Sequence, residues 1–163
     1  MAVVFDACVL IDLFNSRLKG DPKTKLDYLV ETLEKKRTKI LIPTPALTEI
    51  MIKAGKAREH YQRILSSGSA FKIEAFDARA AMECALLLAE ALTSKEKHNI
   101  GKTKFKFDWQ IVAIASSRSA QAIYSDDEDI ARYAKRIDIP VYKTEELIPP
   151  DSARQHEIIF EAD

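Results

Sequence analysis

Four consecutive acidic side chains, Asp126, Asp127, Glu128 and Asp129, follow the short apolar run AIY and open a predicted helix. Carboxylates this close repel one another and raise each other's pKa unless positive charge offsets them. A helix N-terminus supplies part of that charge through its dipole and free N–H groups, and a bound cation supplies more. Three further acids stand in comparable places. Asp6 follows the run AVVF, Glu49 lies one turn into the helix predicted after KILIP, and Asp108 opens the helix predicted over DWQIVAIASSRS. Taken singly, each acid has an ordinary reading. Asp6 and Asp108 suit turns or caps, Glu49 a solvent-facing position, and the cluster an N-cap with a negative first turn.

The elements that must position these acids follow from hydrophobic period. AVVF, KILIP, AQAIYS and IPVYK are short β-branched runs without helical period and predict buried strands, while FKIEAF alternates and predicts an edge strand. Between them, ACVLIDLFN, LDYLVETLEKKR, TPALTEIMIKAG, REHYQRILSSG and DARAAMECALLLAEAL carry apolar residues at helical spacing. Thr44 is the expected N-cap of its helix, with Pro45 at the first helical position, and Asp77 caps the Ala- and Leu-rich one. SRLKGDPKTK and TSKEKHNIGKTKFKF read as a polar and a basic loop. The resulting order, β-α-α-β-α-α-β-α-α-β-α-β, predicts an α/β fold: a central parallel sheet with helices on both faces.

In such a sheet ligands gather beyond the carboxyl ends of the strands. Asp6, Glu49, Asp108 and the 126–129 cluster all fall near that one edge, a convergence that independent capping does not require. Carboxylates meeting there without a Lys or Arg motif make a hard-cation site, suited to Mg²⁺ or Mn²⁺. His60, His98 and His156 are too dispersed for a His-based zinc site. Such a cation activates water and steadies charge developing on a phosphodiester.

Composition bounds the rest. With 163 residues the chain suits one domain, and its formal net charge of zero means that any attraction for nucleic acid must be local. Cys8 and Cys84 lie in apolar surroundings without CxxC spacing and read as buried thiols of a reducing compartment. Nothing reaches transmembrane length and no signal-like N-terminus precedes the first strand, so no membrane partner and a cytoplasmic location are expected.

VVFDACVLIDLF, TPALTEIM, FDWQIVAIA and YSDDEDIARYA resemble, in order, the four acidic motifs of PIN-domain ribonucleases. VapC-type toxins of toxin–antitoxin pairs are the most similar group, over about Ala2–Leu147. The resemblance implies an α/β/α sandwich and Mg²⁺- or Mn²⁺-dependent cleavage of RNA. It also implies an antitoxin partner and a homodimer. By the same correspondence Asp6, Glu49 and Asp108 are the first three metal-binding acids. Asp127 is the fourth, supported by the Ser125 hydroxyl, with Asp129 the alternative; Asp126 and Glu128 are left as surface or capping residues. Cys8 departs from the family, which often carries Ser, Thr or Asn there. Residues 1–148 form the PIN-like nuclease domain on this reading, and 149–163 a C-terminal tail available for a dimer or partner contact.

Lys95, Lys97, Lys102, Lys104 and Lys106 crowd the approach to Asp108, with Phe105 and Phe107 between the last of them. Lys102, Lys104 and Lys106 are the candidate RNA-backbone contacts, and the interleaved aromatics suit stacked bases; a solvated lysine-rich loop with core-facing phenylalanines is the alternative. Trp109 is expected in the core. Other functions compatible with the acids are a catalytically inert PIN-like module binding RNA or protein, and an RNA-processing nuclease outside any toxin–antitoxin pair. A phosphoryl-transfer protein with Asp6 as nucleophile is disfavoured, because Cys8 stands where a dehalogenase-like pattern needs a second Asp. A receiver-type protein needs paired acids near the first strand end, and that pair is missing.

Overall fold

A computed structural model describes residues 1–68, 70–93 and 102–152, the side chains of residues 93 and 102–106 excepted. The strands β1 (Ala2–Phe5), β2 (Lys39–Pro43), β3 (Phe71–Glu74), β4 (Ile123–Tyr124) and β5 (Val141–Tyr142) form one sheet in the order β3-β2-β1-β4-β5. Every pairing is parallel, with Val4 of the central strand opposite Leu41 on one side and Ile123 on the other. The helices are α1 (Ala7–Phe14), α2 (Asp21–Lys35), α3 (Thr44–Ala54), α4 (Arg58–Ser67), α5 (Ala78–Thr93), α6 (Lys102–Ser117) and α7 (Glu128–Ala134). They flank the sheet in an α/β/α sandwich, and the predicted element order is the observed one.

The buried strands are the β-branched runs. Val3, Val4 and Phe5 of β1 and Ile40, Leu41 and Ile42 of β2 are buried on both faces, each side chain contributing about 1.5–3 kcal/mol relative to exposure. β3 is an edge strand as its alternation predicts, with Lys72 and Ile73 exposed and Glu74 buried. β5, expected to be buried, is the other edge; Val141 is half-buried and Tyr142 exposed, because no further strand among the described residues covers it. At the β3–α5 corner, Glu74 accepts a 2.8 Å hydrogen bond from Arg118 and pairs with Lys72 at 2.5 Å. Burial pushes the Glu74 carboxyl up, but Lys72 and Arg118 together hold it below the usual range. Asp77 caps α5 as expected, accepting from the Ala80 N–H at 3.0 Å.

Three helix starts differ from the sequence expectation. α2 begins at Asp21, inside the stretch expected to be a loop, because Pro22 suits a first helical turn. Thr44 lies inside α3 rather than capping it, and its Oγ1 instead accepts from the Phe76 N–H at 3.2 Å. The largest difference is α6, which begins at Lys102, so that Asp108 sits in its second turn and is not a cap. Lysines are good helix formers, and from 102 to 107 no Gly or Pro interrupts them.

Trp109 is 1% exposed, as expected of a core residue. Its ring stacks on Tyr133 with centroids 4.2 Å apart and planes 19° off parallel, fixing α6 against α7. The side chains of Lys102, Lys104 and Lys106, and Lys95 and Lys97 altogether, lie outside the described residues. So does the expected tail from residue 153 onward. No described helix is long and apolar enough to cross a membrane.

Candidate functional site

The sheet order brings the two acid-bearing strand ends together. β1 connects toward β2 on one side and β4 toward β5 on the other, so β1 and β4 flank the point where the winding reverses. Ligands of open parallel sheets bind at that crevice. Asp6 leaves the carboxyl end of β1, and Ser125–Asp127 leave that of β4.

Asp6 is the N-cap of α1. Its Oδ1 accepts from the Ala7 N–H at 2.6 Å and its Oδ2 from the Ser125 hydroxyl at 2.8 Å. The carboxylate is only 7% exposed. Burial raises its pKa, and the Glu49 charge adds to that; the bonds from Ser125, Ala7 and Cys8 pull the other way. Burial outweighs those hydrogen bonds, so the carboxylate's charge is disfavoured as it stands, and a nearby cation would favour it.

Ser125 is fully buried and ties both strand ends together, since its oxygen also accepts from the Asp127 N–H at 3.0 Å. The four acids of the cluster then part. Asp127 caps α7, accepting from the Asp129 N–H at 2.8 Å. Asp126 accepts from the Thr144 N–H at 2.7 Å and hydroxyl at 2.8 Å. Glu128 is exposed and pairs with Lys143, and Asp129 pairs with Arg132. Asp108, Asp127 and Asp129 each present an atom within 4.8 Å of the others', a three-carboxylate nest of oxygen donors.

Asp6, Glu49, Asp108, Asp126 and Asp127 line one cleft of about 540 Å³, together with Cys8, Pro45, Thr48, Ile52, Phe107 and Ile111. All four principal acids anticipated from sequence therefore share a cavity, with Asp129 joining through the nest. Glu49 stands on the α3 wall, exposed, 2.8 Å from Lys53 on the next turn. Asp126 was expected at the surface or in a cap; it is exposed and hydrogen-bonded to Thr144, but it also lines the cleft.

Cys8 corrects an expectation. It is half-buried and faces the cleft, because Ala7–Phe14 winds directly from Asp6 and turns this side chain back toward β4. Its thiol lies 3.5 Å from Asp6 Oδ2 and 3.8 Å from Ser125 Oγ, and accepts from the Asp126 N–H at 3.4 Å. Burial and the Asp6 charge push it up to about 12. Ile52 is not anticipated from the sequence, whereas Phe107 is, as part of the aromatic approach to the acids; its core-facing alternative does not hold, since Phe107 is exposed and lines the cleft. Ile52 stands three residues beyond Glu49, on the same helix face, and that spacing is the available signal.

The oxygen-only donor set fits Mg²⁺ or Mn²⁺ in kind. Among known proteins, the PIN domain family model matches residues 3–136. No curated protein sequence matches the chain. Among solved structures, VapBC2 from Rickettsia felis bound to a DNA fragment from its promoter is similar at TM-score 0.64 and 19% identity, over 88% of this chain and 98% of that one. DNA-bound VapBC from Salmonella typhimurium is similar at TM-score 0.60 and 17% identity, with the same coverages of 88% and 98%. Mycobacterium tuberculosis VapC20, a sarcin-ricin-loop-cleaving toxin, is similar at TM-score 0.54 and 12% identity, over 80% and 93%. Likeness at these identities is likeness of fold, whereas the family model spans most of the sequence. The chain belongs to the PIN domain family.

Proposed function

We propose that this protein is a divalent-cation-dependent endoribonuclease, and that it acts as the toxin of a toxin–antitoxin pair. The observation that carries the catalytic reading is the nest of Asp108, Asp127 and Asp129 in a cleft shared with Asp6 and Glu49. Asp6, Glu49, Asp108 and Asp127 are the metal-binding acids on this reading, with Asp129 able to join them. Mg²⁺ or Mn²⁺ held there supplies water activation and neutralises charge gathering on the scissile phosphate.

The chain's own residues have separable roles. Ser125 orients Asp6 by its hydrogen bond and favours its charged form. The Trp109–Tyr133 stack fixes Asp108 on α6 relative to Asp127 and Asp129 beside α7. Lys102, Lys104 and Lys106 are assigned to the RNA backbone on sequence grounds. Residues 1–148 constitute the nuclease domain and 149–163 a tail for a dimer or partner contact.

The toxin reading is supported by the VapBC structures the fold resembles, in which a VapC-like chain is found with a partner. An antitoxin, a homodimer and a cytoplasmic location follow from that reading. The test is incubation of purified protein with a mixed RNA pool in Mg²⁺, Mn²⁺ or EDTA, beside Asp6→Asn. Cleavage that requires both metal and Asp6 is the expected result; a folded protein that cuts nothing under any condition overturns the nuclease reading. Rescue of growth by a small adjacent gene, on co-expression with the native chain, tests the antitoxin.

A further inference from the structure

The cleft's carboxylates are separated by apolar side chains. Pro45 and Ile52 on α3, and Phe107 and Ile111 on α6, line the same cavity as Glu49 and Asp108. Two of them are exposed: Ile52 is 71% exposed and Phe107 is 47% exposed. The other phenylalanines with described side chains, Phe5, Phe14, Phe71 and Phe76, are buried or half-buried. A single exposed apolar residue is common on protein surfaces. Here two large ones, from different helices, open into one acid-lined cleft.

Their positions relative to the acids are fixed by helix geometry. Phe107 precedes Asp108 by one residue in α6, and Ile52 follows Glu49 by three in α3, on the same face. Both helices are anchored in the core, α3 by the fully buried Ile50 and α6 by Trp109 and Val112. The cavity's volume lies in the range of about 300–1,000 Å³ typical of small-ligand sites. An aromatic face next to metal-binding carboxylates is placed where a chain whose phosphate sits on the acids would project its neighbouring base.

We propose that Phe107 and Ile52 form a nucleobase subsite, Phe107 offering the stacking face and Ile52 an apolar edge. The base flanking the scissile phosphate packs there and sets which phosphate lies over the acids. This inference rests on the ribonuclease reading above. Stacking strength grows with the base's π-surface, so the subsite favours a purine at that position.

The experiment compares native protein with Phe107→Ala, Phe107→Leu and Phe107→Trp on short RNAs that differ only in the bases around one phosphate. Phe107→Ala is expected to raise KM by about 5- to 150-fold, the equivalent of one lost stacking contact, and to erase the purine preference. Phe107→Trp restores both. Phe107→Leu, apolar but without a π-face, stays impaired, while calorimetric Mn²⁺ affinity is unchanged in all three variants. In an Asp6→Asn background, 2-aminopurine at the flanking position is quenched on binding, and the quench is lost with Phe107→Leu. Native cleavage that is blind to the flanking base and indifferent to Phe107→Leu overturns the subsite alone. Absence of any RNA cleavage by the native protein overturns the subsite together with the reading beneath it.

Discussion

The Ser125 hydroxyl donates a 2.8 Å hydrogen bond to Asp6 Oδ2, joining the ends of two neighbouring strands across 119 positions of sequence. Ser125 is fully buried and accepts from the Asp127 N–H as well, so one oxygen sets the spacing between two of the cleft's acids. Ser125→Ala removes the donor and leaves Asp6 with the weaker Cys8 thiol on that oxygen. The expected cost is about 1–3 kcal/mol of unfolding free energy, the range for stranding a buried polar partner. Urea unfolding of the metal-free protein measures it. An unchanged midpoint would mean that Ser125 plays no part in holding Asp6.

Asp6 itself gives a prediction of opposite sign. Its folded pKa lies above the unfolded value, chiefly because it is buried. An acid of that kind favours the folded state when protonated; its stabilisation is complete below the unfolded pKa and is lost as pH rises through the folded one. At neutral pH Asp6 therefore costs stability in the metal-free protein. Asp6→Asn, which cannot ionise, is expected to unfold at least about 2 °C higher than native protein at pH 7, and to lose that advantage near pH 4. Adding Mn²⁺ should reverse the order, since native protein gains by binding and the variant gains less. A thermal melt with and without Mn²⁺ at both pH values checks all three statements.

Lys53 is a counter-charge already present at the site. Its ammonium lies 2.8 Å from Glu49, and its pKa is raised first by that hydrogen bond, with smaller contributions from the Glu49 and Asp6 charges. Both side chains are more than half exposed, so the pair contributes no more than about 0.5 kcal/mol to stability. A metal drawing on Glu49 has to displace this ammonium. Lys53→Ala is expected to leave the melting temperature nearly unchanged and to tighten Mn²⁺ binding, measured calorimetrically. Weaker binding would instead place Lys53 on the side of the metal's anionic ligands.

Much of this arrangement is legible in the sequence because strand and helix signals are local. Short β-branched runs and 3.6-period stretches give the element order, and a parallel sheet then carries Asp6, Glu49 and the 126–129 cluster to one edge whatever the loops do. What local signals cannot give is which way a half-buried side chain faces. Cys8 reads as a core thiol because its neighbours are apolar, yet the cleft claims it through a partner more than a hundred residues away. The helical start at Lys102 was hidden by charge, because a lysine-rich stretch with a glycine before it has the composition of a loop and the propensity of a helix. Ile52 needed the opposite knowledge, that an apolar residue at helical spacing is left uncovered.

Cys8 supplies a chemical probe of the same electrostatics. Thiols react as thiolates, and a cysteine beside a metal site is readily taken for a reactive one. Here burial and the Asp6 charge push the thiol up to about 12. At pH 8 the thiolate fraction is then on the order of one in 10⁴, against roughly a quarter for a free cysteine. Alkylation of Cys8 by iodoacetamide in the folded, metal-free protein should be slower than in denaturant by on the order of a thousandfold. Peptide mass spectrometry separates its signal from that of buried Cys84. Replacing Asp6 by Asn removes the neighbouring negative charge and should speed Cys8 labelling while leaving Cys84 alone. Equal rates in the two proteins would show that burial alone governs the thiol. Fast labelling in the native fold would reveal positive charge at the acids' edge, where the cleft's carboxylates otherwise dominate.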